Sequence, residues 1–165
     1  MKDTIYHISL QTPVGSLRIF ADDHVLYQIV FPANMGKDPA ASTTLQEHPL
    51  LSKAAAQLME YFSGCRQAFD LPLAPRGTRF QQAVWDLMQD IPFGKTRTYG
   101  ELAARLGNPN KARAVGGAAN KNPLPLVIPC HRVVGTNGTL TGFAGGIETK
   151  QFLLELEQEQ NKDRV

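Results

Sequence analysis

The strongest constraint on the fold of this chain is a change of hydrophobic periodicity at the Pro-Arg-Gly sequence of residues 75–77. Before this break, residues 5–31 alternate between two faces around two turn sequences, which predicts an antiparallel β-meander. After it, apolar side chains recur mainly at helical spacing. We therefore predict an N-terminal α/β domain over residues 1–76 and a mostly helical C-terminal domain over residues 77–165.

The N-terminal domain contains one clear helix signal and two weaker segments. Apolar side chains recur at helical spacing from Leu50 to Phe62, and Gly64 ends the predicted helix. Residues 32–48 lack periodicity, which predicts a loop, and residues 68–73 have the composition of a strand. The expected first domain is thus a sheet of antiparallel strands packed on one main helix.

The C-terminal domain carries two capping boxes, each a Thr followed three residues later by Gln or Glu. Thr78 with Gln81 opens one helix, and Thr98 with Glu101 opens a second, shorter one. An Asn-Pro-Asn turn then leads into a third helix over about residues 111–120. Two short helices joined by a tight turn predict a helix-turn-helix.

The third helix of this domain has an unusual composition. Between Lys111 and Asn120, every side chain is small except those of Arg113 and Val115. Two glycines in the middle of a helix cost roughly 1 kcal/mol each relative to alanine, so something must offset them, and the close approach of another surface is the natural candidate. That surface is either a neighbouring helix or a nucleic-acid groove, and the composition alone does not separate the two.

Charge is distributed unevenly along the chain. Residues 91–150 contain eight Lys and Arg against two Glu, a formal charge of +6, whereas residues 1–90 contain seven basic and nine acidic residues, a charge of −2. The last fifteen residues also carry −2. A basic block of this size is either a polyanion-binding surface or a solvated surface that happens to be basic.

The sequence Ile-Pro-Cys-His-Arg at residues 128–132 places a nucleophile, Cys130, beside a proton acceptor, His131. Pro129 fixes the backbone ahead of the sulfur, and the apolar run at 126–128 predicts a short buried strand leading to it. Because adjacent side chains of an extended segment point in opposite directions, we expect the histidine to reach the thiol through a bridging water. The alternative is a buried structural thiol beside a surface histidine.

A carboxylate partner for the histidine is predicted on the last helix. Counted at 100° per residue from about Glu148, residues 152–154 and 156 form an apolar arc, and Glu157 falls inside it. A carboxylate on a buried face must find a partner. Glu157 is therefore the candidate that orients His131.

Cysteine and histidine usage excludes other classes of site. Cys65 and Cys130 do not make a disulfide framework, and the three histidines of the first domain lack metal-ligand spacing, so we expect no metal site. The chain has no run of about 18–20 apolar residues and no signal-peptide core. We expect a cytoplasmic protein with no membrane partner, and a thiol kept reduced suits that compartment.

Residues 129–132, Pro-Cys-His-Arg, resemble the active-site signature of the O6-alkylguanine-DNA alkyltransferases, which are suicide DNA-repair proteins. The resemblance extends to Thr-Tyr-Gly-Glu-Leu-Ala at 98–103 and to Ala-Arg-Ala-Val-Gly at 112–116. It is close from about residue 77 to residue 157 and loose before that. So many matches in the same order identify the chain as a candidate member of that family.

The resemblance implies a ribonuclease-H-like N-terminal domain and a winged-helix-like C-terminal domain. It also implies direct-reversal repair, in which the alkyl group of O6-alkylguanine in duplex DNA moves irreversibly to Cys130, once per molecule and without a cofactor. O4-alkylthymine is a second candidate substrate. We expect a monomer acting on alkylated double-stranded DNA in the minor groove.

The catalytic roles that the resemblance implies fall on Cys130, His131, Glu157, Tyr99 and Asn122. Tyr99 would help to extrude the damaged nucleotide and would donate a proton to the guanine as it leaves. Asn122 would join the recognition helix to the active-site segment. From the residues alone, the favoured interpretation of Tyr99 is a helix-start aromatic, and that of Asn122 is a turn residue.

The DNA-binding roles centre on Arg113, which would slip into the base stack where the damaged nucleotide leaves. The implied DNA-binding residues are Lys111, Ala112, Arg113, Ala114, Gly116, Lys121 and Tyr99. The implied base pocket consists of Arg132, Val133, Phe143, Ala144 and Gly145. Tyrosine is frequent in the family where Phe143 stands and serine occurs where Ala144 stands, so a hydroxyl contact is missing here.

Two alternatives belong to other functional classes. A non-catalytic relative would bind lesions and flag them for other repair, but in such proteins the cysteine is replaced, whereas Cys130 is intact. A Cys-His hydrolase would need an oxyanion hole and would leave the basic block and the small-residue helix unexplained.

Overall fold

The structure is a computed structural model that describes residues 4–34, 43–45 and 48–162. The chain divides into two compact units, Met1–Arg76 and Gly77–Val165. Within the described residues, no helix is long and apolar enough to cross a membrane.

The N-terminal unit is a four-stranded sheet packed against one helix. Its strands are β1 (Ile5–Thr12), β2 (Gly15–Ala21), β3 (Leu26–Val30) and β4 (Thr43–Leu45), and its helix is α1 (Pro49–Phe62). The sheet order is β3-β2-β1-β4, with antiparallel pairing among the first three and parallel pairing of β4 to β1. Leu17 and Ile19 of β2 and Leu51 and Leu58 of α1 are fully buried and form the core. The predicted meander and helix are confirmed.

Two predictions for this unit are wrong. The loop predicted over 32–48 contains β4, which is too short to show alternation, while 35–42 and 46–47 lie outside the described residues. The strand predicted over 68–73 is reduced to one bridge between Leu73 and Leu26. The amide of Gln57 binds both backbone groups of Asp70, at 2.9 and 3.0 Å, so those groups do not join a strand ladder.

The C-terminal unit is mostly helical. Its helices are α2 (Arg79–Gln89), α3 (Tyr99–Arg105), α4 (Ala112–Asn120) and α5 (Ile147–Lys162), and β5 (Arg97–Thr98) pairs in parallel with β6 (Val133–Val134). Both predicted capping boxes are present, at Thr78 with Gln81 and at Thr98 with Glu101. Helices α3 and α4, joined through a short 3₁₀ turn, form the predicted helix-turn-helix.

One face of α4 packs against α2 and α3. Val115 and Ala118 are buried, and the Trp85 indole donates a hydrogen bond of 2.9 Å to the carbonyl of Ala118. The opposite face, which includes Arg113, is exposed. A Cβ added at Gly117 would meet no atom within 4 Å, so packing inside the protein does not require glycine there. Packing against neighbouring helices therefore explains the small residues on the buried face of α4 but not those on its exposed face.

Candidate active site

Cys130 begins a 3₁₀ turn that runs to Arg132, and its side chain is 6% exposed. The strand predicted over 126–128 is wrong, because the chain makes a tight turn in which the Ile128 N–H donates to Leu124. In this turn Leu126 has φ +75°, a conformation that costs a non-glycine residue roughly 1–2 kcal/mol. Burial of the leucine side chain offsets part of that cost.

The thiol is held in an apolar setting with few polar neighbours. Burial raises the pKa of Cys130 to about 11, while a hydrogen bond from Asn122 and the charge of Lys150 act in the opposite direction. Asn122 also donates to the Ile128 carbonyl at 2.7 Å and accepts from the Leu124 N–H at 3.0 Å. This amide therefore joins the end of α4 to the active-site turn. At neutral pH the thiol needs a proton acceptor to become a thiolate.

His131, the next residue along the chain, is the candidate acceptor. Its ring is fully buried, and Nε2 lies 2.5 Å from Oε2 of Glu157. Burial lowers the pKa of His131, so the ring is neutral at pH 7. With the proton on Nε2 shared with the carboxylate, Nδ1 keeps its lone pair, and Nδ1 has no hydrogen-bond partner among the described residues. Because Cys130 and His131 share a 3₁₀ turn, the expected extended geometry at this pair is wrong.

Glu157 accepts hydrogen bonds from His131, Arg132 and the backbone of Gly94. Its Oε2 faces His131 Nε2 and one terminal nitrogen of Arg132 (3.2 Å), and its Oε1 accepts from Arg132 Nε (2.8 Å) and the Gly94 N–H (3.1 Å). Burial alone would raise the pKa of Glu157, but the hydrogen bonds from His131 and Arg132 and the charge of Arg132 bring it to about 2. The carboxylate is therefore ionised, and it holds the imidazole in one tautomer and orientation.

The buried face of α5 differs from the predicted arc. Phe152, expected inside, is 37% exposed, and the buried residues of α5 are Lys150, Leu153 and Glu157. The ammonium of Lys150 donates to the Tyr99 hydroxyl and to the Thr141 carbonyl, both at 3.3 Å. Sequence reasoning assigned no role to Lys150. Its spacing of three and seven residues from Leu153 and Glu157 is the signal that could have found it.

A cavity of about 450 Å³ opens between α3, α4 and the loop after β6. Its lining includes Tyr99, Arg113, Gly116, Asn120 and Thr141. The Tyr99 ring packs over Gly116 of α4, 3.7 Å from the point where a Cβ would stand, which is an ordinary van der Waals distance. The structure thus brings a tyrosine and an arginine to one concave surface of the helix-turn-helix.

The remaining predicted residues form two groups, one on or beside α4 and one that was predicted to form the base pocket. Lys111, Ala114 and Lys121 are exposed and Ala112 is half-buried, all on or beside α4. In the predicted base pocket, Val133 is fully buried in β6, Arg132 lies against Glu157, Phe143 and Gly145 are half-buried, and Ala144 is exposed. None of these five lines the cavity.

Nowhere in the described part of the chain do three His, Cys, Asp or Glu side chains form a group able to hold a metal ion.

The fold and the site define a class of two-domain protein. Its second domain has a helix-turn-helix and, beside it, a buried cysteine followed by a histidine that is hydrogen-bonded to a glutamate. Two family models match it: the ribonuclease-like domain of 6-O-methylguanine DNA methyltransferase over residues 5–75, and the DNA binding domain of the same family over residues 79–159. The chain belongs to the 6-O-methylguanine DNA methyltransferase family. The resemblance predicted from the Pro-Cys-His-Arg tetrad and the predicted fold class are confirmed.

Curated relatives and solved structures agree with this assignment. A methylated-DNA–protein-cysteine methyltransferase of Methanosarcina acetivorans is 42% identical over 93% of this chain and 98% of the relative, and the constitutive one of Bacillus subtilis is 40% identical over 96% and 99%. The crystal structure of Mycobacterium tuberculosis OGT in complex with DNA matches with a TM-score of 0.84 at 40% identity, covering 94% of each chain. That of an O6-methylguanine DNA methyltransferase from Methanococcus jannaschii has a TM-score of 0.67 at 30% identity, covering 92% and 93%.

Proposed function

We propose that this protein repairs O6-alkylguanine in duplex DNA by moving the alkyl group irreversibly to Cys130, once per molecule. The observation that carries the proposal is the buried Cys130 followed by a histidine whose Nε2 is bound to Glu157 and whose Nδ1 has no hydrogen-bond partner among the described residues. Membership of a family of methylated-DNA–protein-cysteine methyltransferases supplies the substrate class. O4-alkylthymine, which also presents an alkyl group on an exocyclic oxygen of the base, is the second substrate we propose.

In the proposed mechanism, His131 takes the proton of the thiol at Nδ1, directly or through a water. The sulfur of Cys130 then attacks the alkyl carbon, and the bond between that carbon and O6 breaks. The departing guanine takes a proton from the Tyr99 hydroxyl, and the proton on His131 later restores the phenol through solvent. The thioether is stable, so each molecule acts once. A reduced thiol is required, which favours the cytoplasm.

We infer that α4 enters the minor groove of DNA and that the protein acts there as a monomer. The small residues on the exposed face of α4 leave room for a close approach, and glycine at Gly117 is not needed for packing inside the protein. The basic block over residues 91–150, with its charge of +6, suits contact with phosphates. The mycobacterial relative was solved in complex with DNA, and its fold matches this chain.

We propose that Arg113 occupies the space left in the base stack when the damaged nucleotide turns outward into the protein. Its side chain is exposed and contributes to the rim of the cavity that also contains Tyr99. Lys111 and Lys121 would contact phosphates beside it. The loop that carries Phe143, Ala144 and Gly145 is the proposed wall of the base pocket, where the alanine offers no hydroxyl to the base.

A transfer assay tests the proposed function. The protein is mixed with duplex DNA that carries a labelled methyl group on the O6 of one guanine, and the label on DNA and on protein is followed. We expect the label to move to the protein until about one methyl is bound per molecule. Restored guanine should appear in the DNA in equal amount. Label that stays on DNA, or that is released as a free small molecule, would exclude alkyl transfer.

We expect Arg113→Ala to slow repair of duplex DNA by about 100-fold, and to leave single-turnover transfer from a short single-stranded oligonucleotide within about threefold. The reason is that a base in a single strand does not need to be extracted from a stack, and extraction costs a few kcal/mol in a duplex. Rapid-quench measurements with both substrates give the two rate constants.

Lys121→Ala is the matched control, because it also removes one exposed positive charge, at the C-terminal end of α4. It should weaken binding to all duplexes and reduce the salt dependence by the equivalent of about one phosphate contact. It should not slow transfer from the duplex more than transfer from the single strand. If Arg113→Ala behaved like this control, Arg113 would contact phosphates and would not enter the base stack.

A further inference from the structure

The side chain of Lys150 occupies a position that is unfavourable for a cation. It is fully buried, it lies near the N-terminal end of α5, and no carboxylate of the described residues forms an ion pair with it. Burial of an unpaired charge is costly, and a positive charge near the start of a helix opposes the helix dipole. Structural stability alone therefore does not explain this lysine.

One hydrogen-bond acceptor of Lys150 belongs to the proposed catalytic machinery, namely the hydroxyl oxygen of Tyr99. The ammonium donates to that oxygen at 3.3 Å and lies 5.6 Å from the centre of the Tyr99 ring. The hydroxyl of Thr141 donates to the same oxygen at 3.0 Å. A phenol oxygen accepts two hydrogen bonds and donates one. With both acceptor positions filled, the proton of Tyr99 is left for a group in the cavity that Tyr99 and Thr141 line.

We propose that Lys150 and Thr141 are positioning residues for proton donation by Tyr99. They orient the hydroxyl so that its proton points at the departing base, and the Lys150 ammonium stabilises the phenolate that exists after the proton has left. When the bond between carbon and O6 breaks, its electron pair stays with guanine, guanine takes the Tyr99 proton, and the negative charge comes to rest on an oxygen beside a cation. This proposal rests on the proposed function, in which Tyr99 is the proton donor.

A double-mutant cycle between Lys150→Met and Tyr99→Phe tests this coupling. Methionine keeps most of the volume of the lysine stem and needs no counter-charge, so the fold should be retained. We expect Lys150→Met to slow single-turnover transfer from methylated duplex by about tenfold in the parent protein, and by less than about twofold in the Tyr99→Phe background. Binding to unmodified duplex should change no more than in Lys162→Met, which removes one exposed charge from the other end of α5.

Thr141 gives a second route that does not disturb the core, because its side chain is exposed. Thr141→Val removes the hydroxyl and should slow transfer by about threefold, again only when Tyr99 is present. Thr141→Ser, which keeps the hydroxyl, should recover most of that loss. Equal slowing by Lys150→Met with and without the Tyr99 hydroxyl would overturn the proposal and would place the lysine's effect elsewhere, for example on the Cys130 thiol.

Failure of this inference and failure of the proposed function give different results. If no methyl appears on Cys130 of the parent protein, the proposed function is wrong. If methyl appears there but Tyr99→Phe reacts as fast as the parent, Tyr99 is not the proton donor and the positioning role falls with it. If Tyr99→Phe is slow and Lys150→Met acts independently of it, only the inference about Lys150 and Thr141 is wrong.

Discussion

Replacement of Cys130 by serine is expected to abolish alkyl transfer, a fall of more than about 1,000-fold, while DNA binding stays within about twofold. Serine has nearly the same shape, so the packing around a side chain that is 6% exposed should persist. Its hydroxyl is a much weaker nucleophile than a thiolate and is harder to deprotonate, so His131 cannot activate it to the same degree. Single-turnover transfer and binding to unmodified duplex measure the two quantities.

The other cysteine supplies the control for this prediction. Cys65 is a free, exposed thiol of the N-terminal unit, so Cys65→Ser should react at the parent rate. Mass spectrometry of the reacted parent protein should find one methyl group, on the peptide that contains Cys130. A methyl on Cys65, or transfer that persists in Cys130→Ala, would show that Cys130 is not the acceptor.

Replacement of Glu157 by glutamine is expected to slow transfer by about 100-fold and to lower the free energy of unfolding by roughly 1–3 kcal/mol. The amide keeps the shape of the carboxylate but removes the charge that faces His131 and Arg132, and it presents donors to groups that also donate. The imidazole then loses the partner that fixes its tautomer, so Nδ1 is a poorer proton acceptor. Rapid-quench transfer and denaturant unfolding measure the two effects.

The acid dependence of stability gives a further readout of the same variant. The pKa of Glu157 is about 2 in the folded protein against 4.5 for a free side chain, so its stabilisation is complete above about pH 4.5 and is lost as pH falls towards 2. The parent protein should therefore lose more stability than Glu157→Gln between about pH 5 and about pH 3. Glu155→Gln, an exposed change on the same helix, should keep the parent profile and the parent rate. Parallel acid profiles for the parent and Glu157→Gln would show that the carboxylate is not held by this network.

Local signals in the sequence were sufficient to predict an element wherever the contacts that stabilise it join residues close along the chain. The capping boxes at Thr78 and Thr98 were predictable because each hydrogen bond joins residues three apart. The meander was predictable because its strands are consecutive and joined by short turns. The predicted strands over 68–73 and 126–128 failed because composition does not reveal competing partners for the backbone, such as the amide of Gln57.

The same distinction between local and long-range contacts applies to the residues of the candidate site. The sequence by itself determined the family, the candidate nucleophile, the adjacent histidine and the candidate carboxylate Glu157, because a motif and a helical period carry them. Only the tertiary structure decided that Gly94, 63 residues away along the chain, also donates to Glu157, and that Lys150 contacts Tyr99, 51 residues away. Hydrogen bonds between groups so far apart depend on how the helices pack, and no periodicity along the chain records that packing.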